Sequence, residues 1–148
     1  MMRQIILIGF WCLLFISSAC KKESGPEERI MEEFYRIKEY VQQKKIGKIM
    51  DYISSDYRDI YGNSKDSIKA ILIQNILFRK SLHVVIRDLD LKKIDGGRAE
   101  VALKLFLSES GGIIPENADF ILLKCKMIDA GDKWVIISAQ WEGHQSPF

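Results

Sequence analysis

His83-Val84-Val85-Ile86-Arg87-Asp88-Leu89-Asp90-Leu91-Lys92-Lys93-Ile94-Asp95-Gly96-Gly97-Arg98-Ala99-Glu100-Val101-Ala102-Leu103-Lys104-Leu105-Phe106-Leu107 decides the fold of this 148-residue chain. From Ala99 onward every second residue is apolar (Ala99, Val101, Leu103, Leu105, Leu107), while Arg98, Glu100, Lys104 and Phe106 take the alternate positions. A period of two is the signature of a strand with one buried face. Asp95-Gly96-Gly97 separates this run from the one over His83 to Ile94 and supplies glycines for the positive φ of a tight turn. The two runs therefore form an antiparallel hairpin, with a bend expected near Arg87-Asp88, where the alternation is interrupted.

The same period continues downstream. Ile121, Leu123, Cys125 and Met127 alternate with Phe120, Leu122, Lys124 and Lys126, and Asp129-Ala130-Gly131-Asp132 makes the next turn. A last strand, Trp134 to Trp141, is apolar on both faces. Gly111-Gly112 and Pro115-Glu116-Asn117 mark a long loop between the second and third strands. Upstream the period is helical. Ile30, Phe34, Ile37 and Val41 recur at i, i+4, i+7 and i+11 over Glu27 to about Lys44, with acids at the start and Lys44-Lys45 at the end. Ile46, Ile49, Met50 and Ile53 give a second, short helix, ended by Ser54-Ser55-Asp56. Ser64 caps a third, whose stripe is Ile68, Ile71, Leu72, Ile76 and Arg79. Ala70, Ile73, Leu77 and Phe78 widen that stripe, which predicts a helix buried on more than one side. Three helices followed by four hairpin-linked strands specify α+β, with the helices packed on one face of an antiparallel sheet.

The N-terminus is built differently. Fourteen of the first 19 residues are apolar, and Arg3 precedes the run Ile5 to Ile16. A cationic start, a short apolar run and small residues at Ser17-Ser18-Ala19 have the form of a secretory signal peptide. Twelve residues of helix reach only about 18 Å, short of the ~30 Å hydrocarbon core that a membrane span must cross. Ser18-Ala19-Cys20 resembles the lipobox of bacterial lipoproteins, although Ser17 stands where that family usually has Leu. The resemblance implies that Cys20 carries the lipid; Ser17-Ser18-Ala19 also fits an ordinary cleavage site. Residues 1–19 are thus expected to leave, 20–26 to form the lipidated cysteine and its tether, 27–142 the domain and 143–148 a tail. Lys21-Lys22 after the cysteine resembles the sorting pattern of outer-membrane lipoproteins, which sets the expected location in the bacterial envelope. Cys12 departs with the leader, so Cys125 is left without an intrachain disulfide partner and is expected to be a buried strand thiol.

Composition narrows the function. A net charge of +2 and isolated pairs such as Arg79-Lys80 and Lys92-Lys93 argue for solvated charges rather than a nucleic-acid groove. His83 and His144 have no metal-ligand spacing with a cysteine, and no glycine-rich phosphate loop is present, so neither metal nor cofactor is expected.

Three stretches resemble the NTF2-like (cystatin-like, α+β cone) superfamily. They are Ile49-Met50-Asp51-Tyr52-Ile53-Ser54-Ser55-Asp56-Tyr57, the hairpin from Asp88 through Val101, and Gly131-Asp132-Lys133-Trp134-Val135-Ile136 with Trp141. The resemblance spans Glu28 to Glu142. It implies a sheet curled around the long helix with a pocket at its open end, and in many members a homodimer through the outer sheet face, here carrying Phe106, Phe120 and Leu122. Candidate pocket residues are Tyr57, Tyr61, Phe78, His83, Trp134 and Trp141; for the two tryptophans, closure of the core is the other reading. The isomerases of the superfamily place a carboxylate base where this chain has Ile60-Tyr61-Gly62, and the cyclases use a His-Asp pair. The expectation is therefore a membrane-anchored domain that binds a small apolar ligand or a protein partner without catalysis. The alternative is a pocket enzyme of the ketosteroid-isomerase or polyketide-cyclase type, using His83, Asp56 or Tyr57.

Overall fold

The computed structural model describes residues 24–109 and 118–144. The leader, Cys20, the loop glycines at 111–112, Pro115 to Asn117 and the last four residues lie outside that range. Helix α1 (Pro26–Gln42) begins with Pro at its first turn and Glu27 and Glu28 against the positive end of its dipole. It stops at Lys44, whose φ of 56° is left-handed. Lys45 N–H bonds back to the Tyr40 carbonyl at 2.9 Å, which closes the helix end in a Schellman-type pattern. Helix α2 (Ile46–Met50) follows at once and buries Ile46, Ile49 and Met50. Helix α3 (Lys65–Leu72) is capped by the Ser64 hydroxyl, which accepts from Ser67 N–H.

The third helix departs from the sequence expectation. Its α-helical part ends at Leu72 and a π-helical turn continues from Ile73 to Leu77. Asn75 Nδ2 donates to the Ile71 carbonyl at 2.8 Å, so a side chain is inserted into the backbone ladder at the point where the regular pattern gives way. The extra residue in the turn shifts every following side chain around the axis. Ile68 and Ile76 are buried, whereas Ala70, Leu77 and Phe78 are exposed, Phe78 by 81%. The helix is covered on one side only.

Strands β1 (His83–Asp95), β2 (Arg98–Ser108), β3 (Asp119–Asp129) and β4 (Trp134–His144) form one antiparallel sheet in sequence order. Asp95 pairs with Arg98 around Gly96 and Gly97, both at positive φ, as a two-residue hairpin of the primed type requires. The register of β1 against β2 slips between Ile86 and Asp88, at the expected bend, and again between Leu91 and Lys93. Such bulges bend a strand and increase its twist. Strand β4 runs through His144, so the strand extends two residues into the segment read as a tail.

Both sheet edges are handled. At the β4 edge, Ile53 makes a parallel bridge with Ile136, and Ile136 N–H donates to Tyr52 O at 2.8 Å. At the β1 edge, Gln42 Oε1 accepts from Val84 N–H at 3.1 Å. The core lies between α1, α2 and the concave sheet face, with Ile30, Leu103, Met127 and Trp134 almost fully buried. Arg29 ties the start of α1 to the β3–β4 turn through Asp129 at 3.2 Å and the Gly131 carbonyl. Among the described residues no helix is long and apolar enough to cross a membrane.

Candidate functional site: an apolar cavity with a charged mouth

The bent sheet and the helices do not meet everywhere. Between them lies a cavity of about 820 Å³, within the range of small-molecule sites. Its sheet wall comes from one half of each of the first three strands: Val84 and Ile86 of β1, Leu103 to Leu107 of β2, and Asp119 to Cys125 of β3. Strand β4 adds Ile136, Ala139, Trp141 and Gly143, and α1 adds Phe34, Ile37, Lys38 and Val41. The stripe Ile68, Ile71, Leu72, Ile76 and Arg79 forms the remaining wall. Leu103, Cys125, Tyr57 and Ile49 at the inner end are buried, whereas Asn75, Phe120 and Gly143 at the outer end are exposed. The mouth therefore opens beside the start of β3 and the end of β4, opposite the hairpin turns.

Tyr57 and Trp141 are the two sequence candidates in the cavity wall. The Tyr57 hydroxyl is turned to Asp59 Oδ2 at 3.4 Å. Burial, and then the Asp59 charge, push that hydroxyl far above its ordinary pKa, so it stays protonated. Burial also works to raise Asp59, but hydrogen bonds outweigh it and hold the carboxyl below its usual range. Its donors are Asn63 N–H at 2.8 Å, Asn63 Nδ2 at 2.9 Å and Tyr61 N–H at 2.9 Å. Asp59 thus organises the Asp59–Asn63 loop as an Asx turn. That loop carries Tyr61, which is 56% exposed and lies outside the cavity wall, with its ring 5.6 Å from that of Trp141.

The other candidates are elsewhere. Trp134 is 1% exposed and sits in the core rather than in the cavity wall. Phe78 projects from the end of the π turn into solvent. His83 opens β1 on its exposed side, and it is the next residue, Val84, that faces the cavity. Asp56 is exposed in the turn after α2. His83, Asp56 and Tyr57 therefore do not converge, and the acid–base arrangement needed for the isomerase or cyclase reading is not assembled from them. Cys125 lines the inner wall, and burial pushes its thiol up to about 12, which keeps it protonated.

Sequence reasoning missed the mouth. Arg79, read as a solvated cation, donates from Nη2 to Asp119 at 2.9 Å and from Nε to the Asn75 carbonyl at 3.2 Å. Lys38 is half-buried in the opposite wall. Among the described residues there is no group of three His, Cys, Asp or Glu side chains arranged to hold a metal ion.

Removing the Asp59 carboxylate would leave three loop donors without their acceptor. Asp59→Ala is expected to cost about 2 kcal/mol at pH 7. The folded pKa of Asp59 is depressed, so its contribution is complete above the unfolded value, about 3.9, and decays as pH falls through the folded one. Urea denaturation of wild type and variant at pH 7 and pH 3 should show the gap narrowing at the lower pH; an equal gap would contradict this account.

No family model matches the chain, and no curated protein matches it in sequence. Solved structures do match. A Nostoc punctiforme protein of unknown function with a cystatin-like fold superposes with a TM-score of 0.64 at 14% identity, over 82% of this chain and 95% of that one. An NTF2-like protein of unknown function from Pseudomonas putida gives a TM-score of 0.63 at 16% identity, over 80% and 84%. Bd1075 of Bdellovibrio bacteriovorus gives 0.63 at 11% identity over 81% of this chain, which spans only 41% of that longer protein. Identities this low speak to fold alone. The chain has the cystatin-like α+β fold of NTF2-like proteins, its helices packed on a curved four-stranded antiparallel sheet.

Proposed function

We propose that this chain is a bacterial envelope lipoprotein, anchored through Cys20, whose NTF2-like domain binds a small apolar ligand in the cavity without chemistry. The observation that carries the reading is the cavity wall: apolar side chains, aliphatic and aromatic, from α1, α3 and all four strands, with its charged groups confined to Lys38, Arg79 and Asp119. Such a surface desolvates an apolar molecule at a gain of about 25 cal/mol per Å² buried, and it offers a hydrocarbon skeleton little that could be reached by a base. The anchoring half of the reading is supported by the leader pattern and Cys20 alone.

Titration with N-phenyl-1-naphthylamine, a neutral apolar fluorophore, tests the binding half. Saturable, one-to-one enhancement, with quenching of tryptophan emission, is expected because Trp141 is part of the wall. Absence of saturable binding overturns it. For the anchor, Cys20→Ser is expected to abolish lipid labelling in cells and shift the protein out of the membrane fraction. A variant that is processed and fractionates like wild type would refute lipidation.

A further inference from the structure

The polar groups of the cavity are not scattered. Arg79 and Asp119 face each other at the mouth, with side chains 27% and 19% exposed, and satisfy one another through a 2.9 Å ion pair. The charge of Asp119 is thereby matched by Arg79. Arg79 has spent Nε and one Nη2 proton on Asn75 and Asp119, which leaves donors on its fork. Lys38 has no hydrogen-bond or ion-pair partner among the described residues, although it lines the same cavity and is half-buried. Lys44, just past the C-terminal end of α1, donates to the carbonyls of Arg79 and Lys80. That contact ties the end of α1, about one turn beyond Lys38, to the segment bearing Arg79, so Lys38 and Arg79 lie towards the same end of the cavity. Two cations and one already paired carboxylate leave the wall with an excess positive charge beside a mainly apolar interior. An anionic group placed beside Lys38 would supply the charge-assisted partner that this cation lacks among the described residues.

We propose that the cavity takes a single-chain amphipathic anion, its carboxylate at Lys38 and Arg79 and its hydrocarbon chain along the apolar walls. The proposal rests on the apolar-ligand reading and sharpens it to a ligand class. Three probes of equal chain length separate the two: dodecanoate, 1-dodecanol and dodecyltrimethylammonium, each used to displace N-phenyl-1-naphthylamine from the purified chain. Dodecanoate should displace the probe about tenfold more effectively than the alcohol, the increment of one charge-assisted contact, and the ammonium should be the weakest. Lys38→Gln should lower the acid-to-alcohol ratio several-fold with Arg79 still in place, and Lys38→Arg should retain it. Equal displacement by acid and alcohol, stronger displacement by the ammonium, or a ratio indifferent to Lys38→Gln would each overturn the proposal while leaving the apolar cavity intact. If none of the three displaces the probe, or the probe itself does not bind, the underlying reading fails as well.

Discussion

Trp134→Ala is expected to destabilise the domain by about 3–5 kcal/mol, the usual cost of deleting a buried indole. Trp134 is 1% exposed and belongs to the main core cluster with Ile30, Met127 and Ala99. It begins β4 directly opposite Asp129, beside the turn that Arg29 holds to α1, so the void would open where helix and sheet are joined. On the scale of a domain this size the loss corresponds to a fall in Tm of more than about 10 °C. Trp134→Phe should cost much less, about 1 kcal/mol. Among the described residues the indole Nε1 is buried without a hydrogen-bond partner, and phenylalanine removes that unsatisfied donor while keeping most of the apolar volume. Chemical denaturation of both variants checks the pair of values. Similar losses for Ala and Phe would mean that the indole makes a specific contact that Phe cannot replace.

The second large effect is on binding. Ala139 sits in the cavity wall on β4, its Cα opposite Cys125. Ala139→Trp would fill part of the space with indole. Overpacking a filled core costs about 1–3 kcal/mol, but here the new side chain enters a void of about 820 Å³. Stability should therefore be unchanged or slightly raised, while affinity for N-phenyl-1-naphthylamine falls by about a hundredfold or more. A stable variant that binds the probe as well as wild type would place the binding site somewhere other than this cavity.

The hairpin was legible because its signals are local. The alternation from Ala99 to Leu107 and the two glycines at positive φ specify both the strand and its register, and the break in alternation at Arg87-Asp88 marks a real bulge. The third helix was legible only as far as its period held. The stripe from Ile68 to Arg79 describes the cavity wall, but residues read as widening it do not join it, and after the π turn Leu77 and Phe78 count as apolar in the pattern and are at the surface in the structure. Trp134 and Trp141 show a different limit. Both lie on one strand that is apolar on both faces, and only the packing of α1 and the Asp59 loop separates the core residue from the cavity residue. The mouth left one local trace, Arg79 at the end of the third helix's apolar stripe. Arg79 and Asp119 are 40 residues apart in sequence and meet through the curl of the sheet; Lys38 in isolation reads like any helix-surface cation.

The joint between Arg29 and the β3–β4 turn fixes a direction. It places the start of α1 beside the hairpin turns, at the far end of the sheet from Arg79, Asp119 and Gly143. Helix α1 is about 25 Å long, and the five peptide steps from Cys20 to Gly25 can span at most about 17 Å. If Cys20 carries the proposed lipid, the anchor would leave the domain at the hairpin-turn end of the sheet, opposite the mouth of the cavity. A ligand would then enter the cavity from the end of the domain away from the anchor.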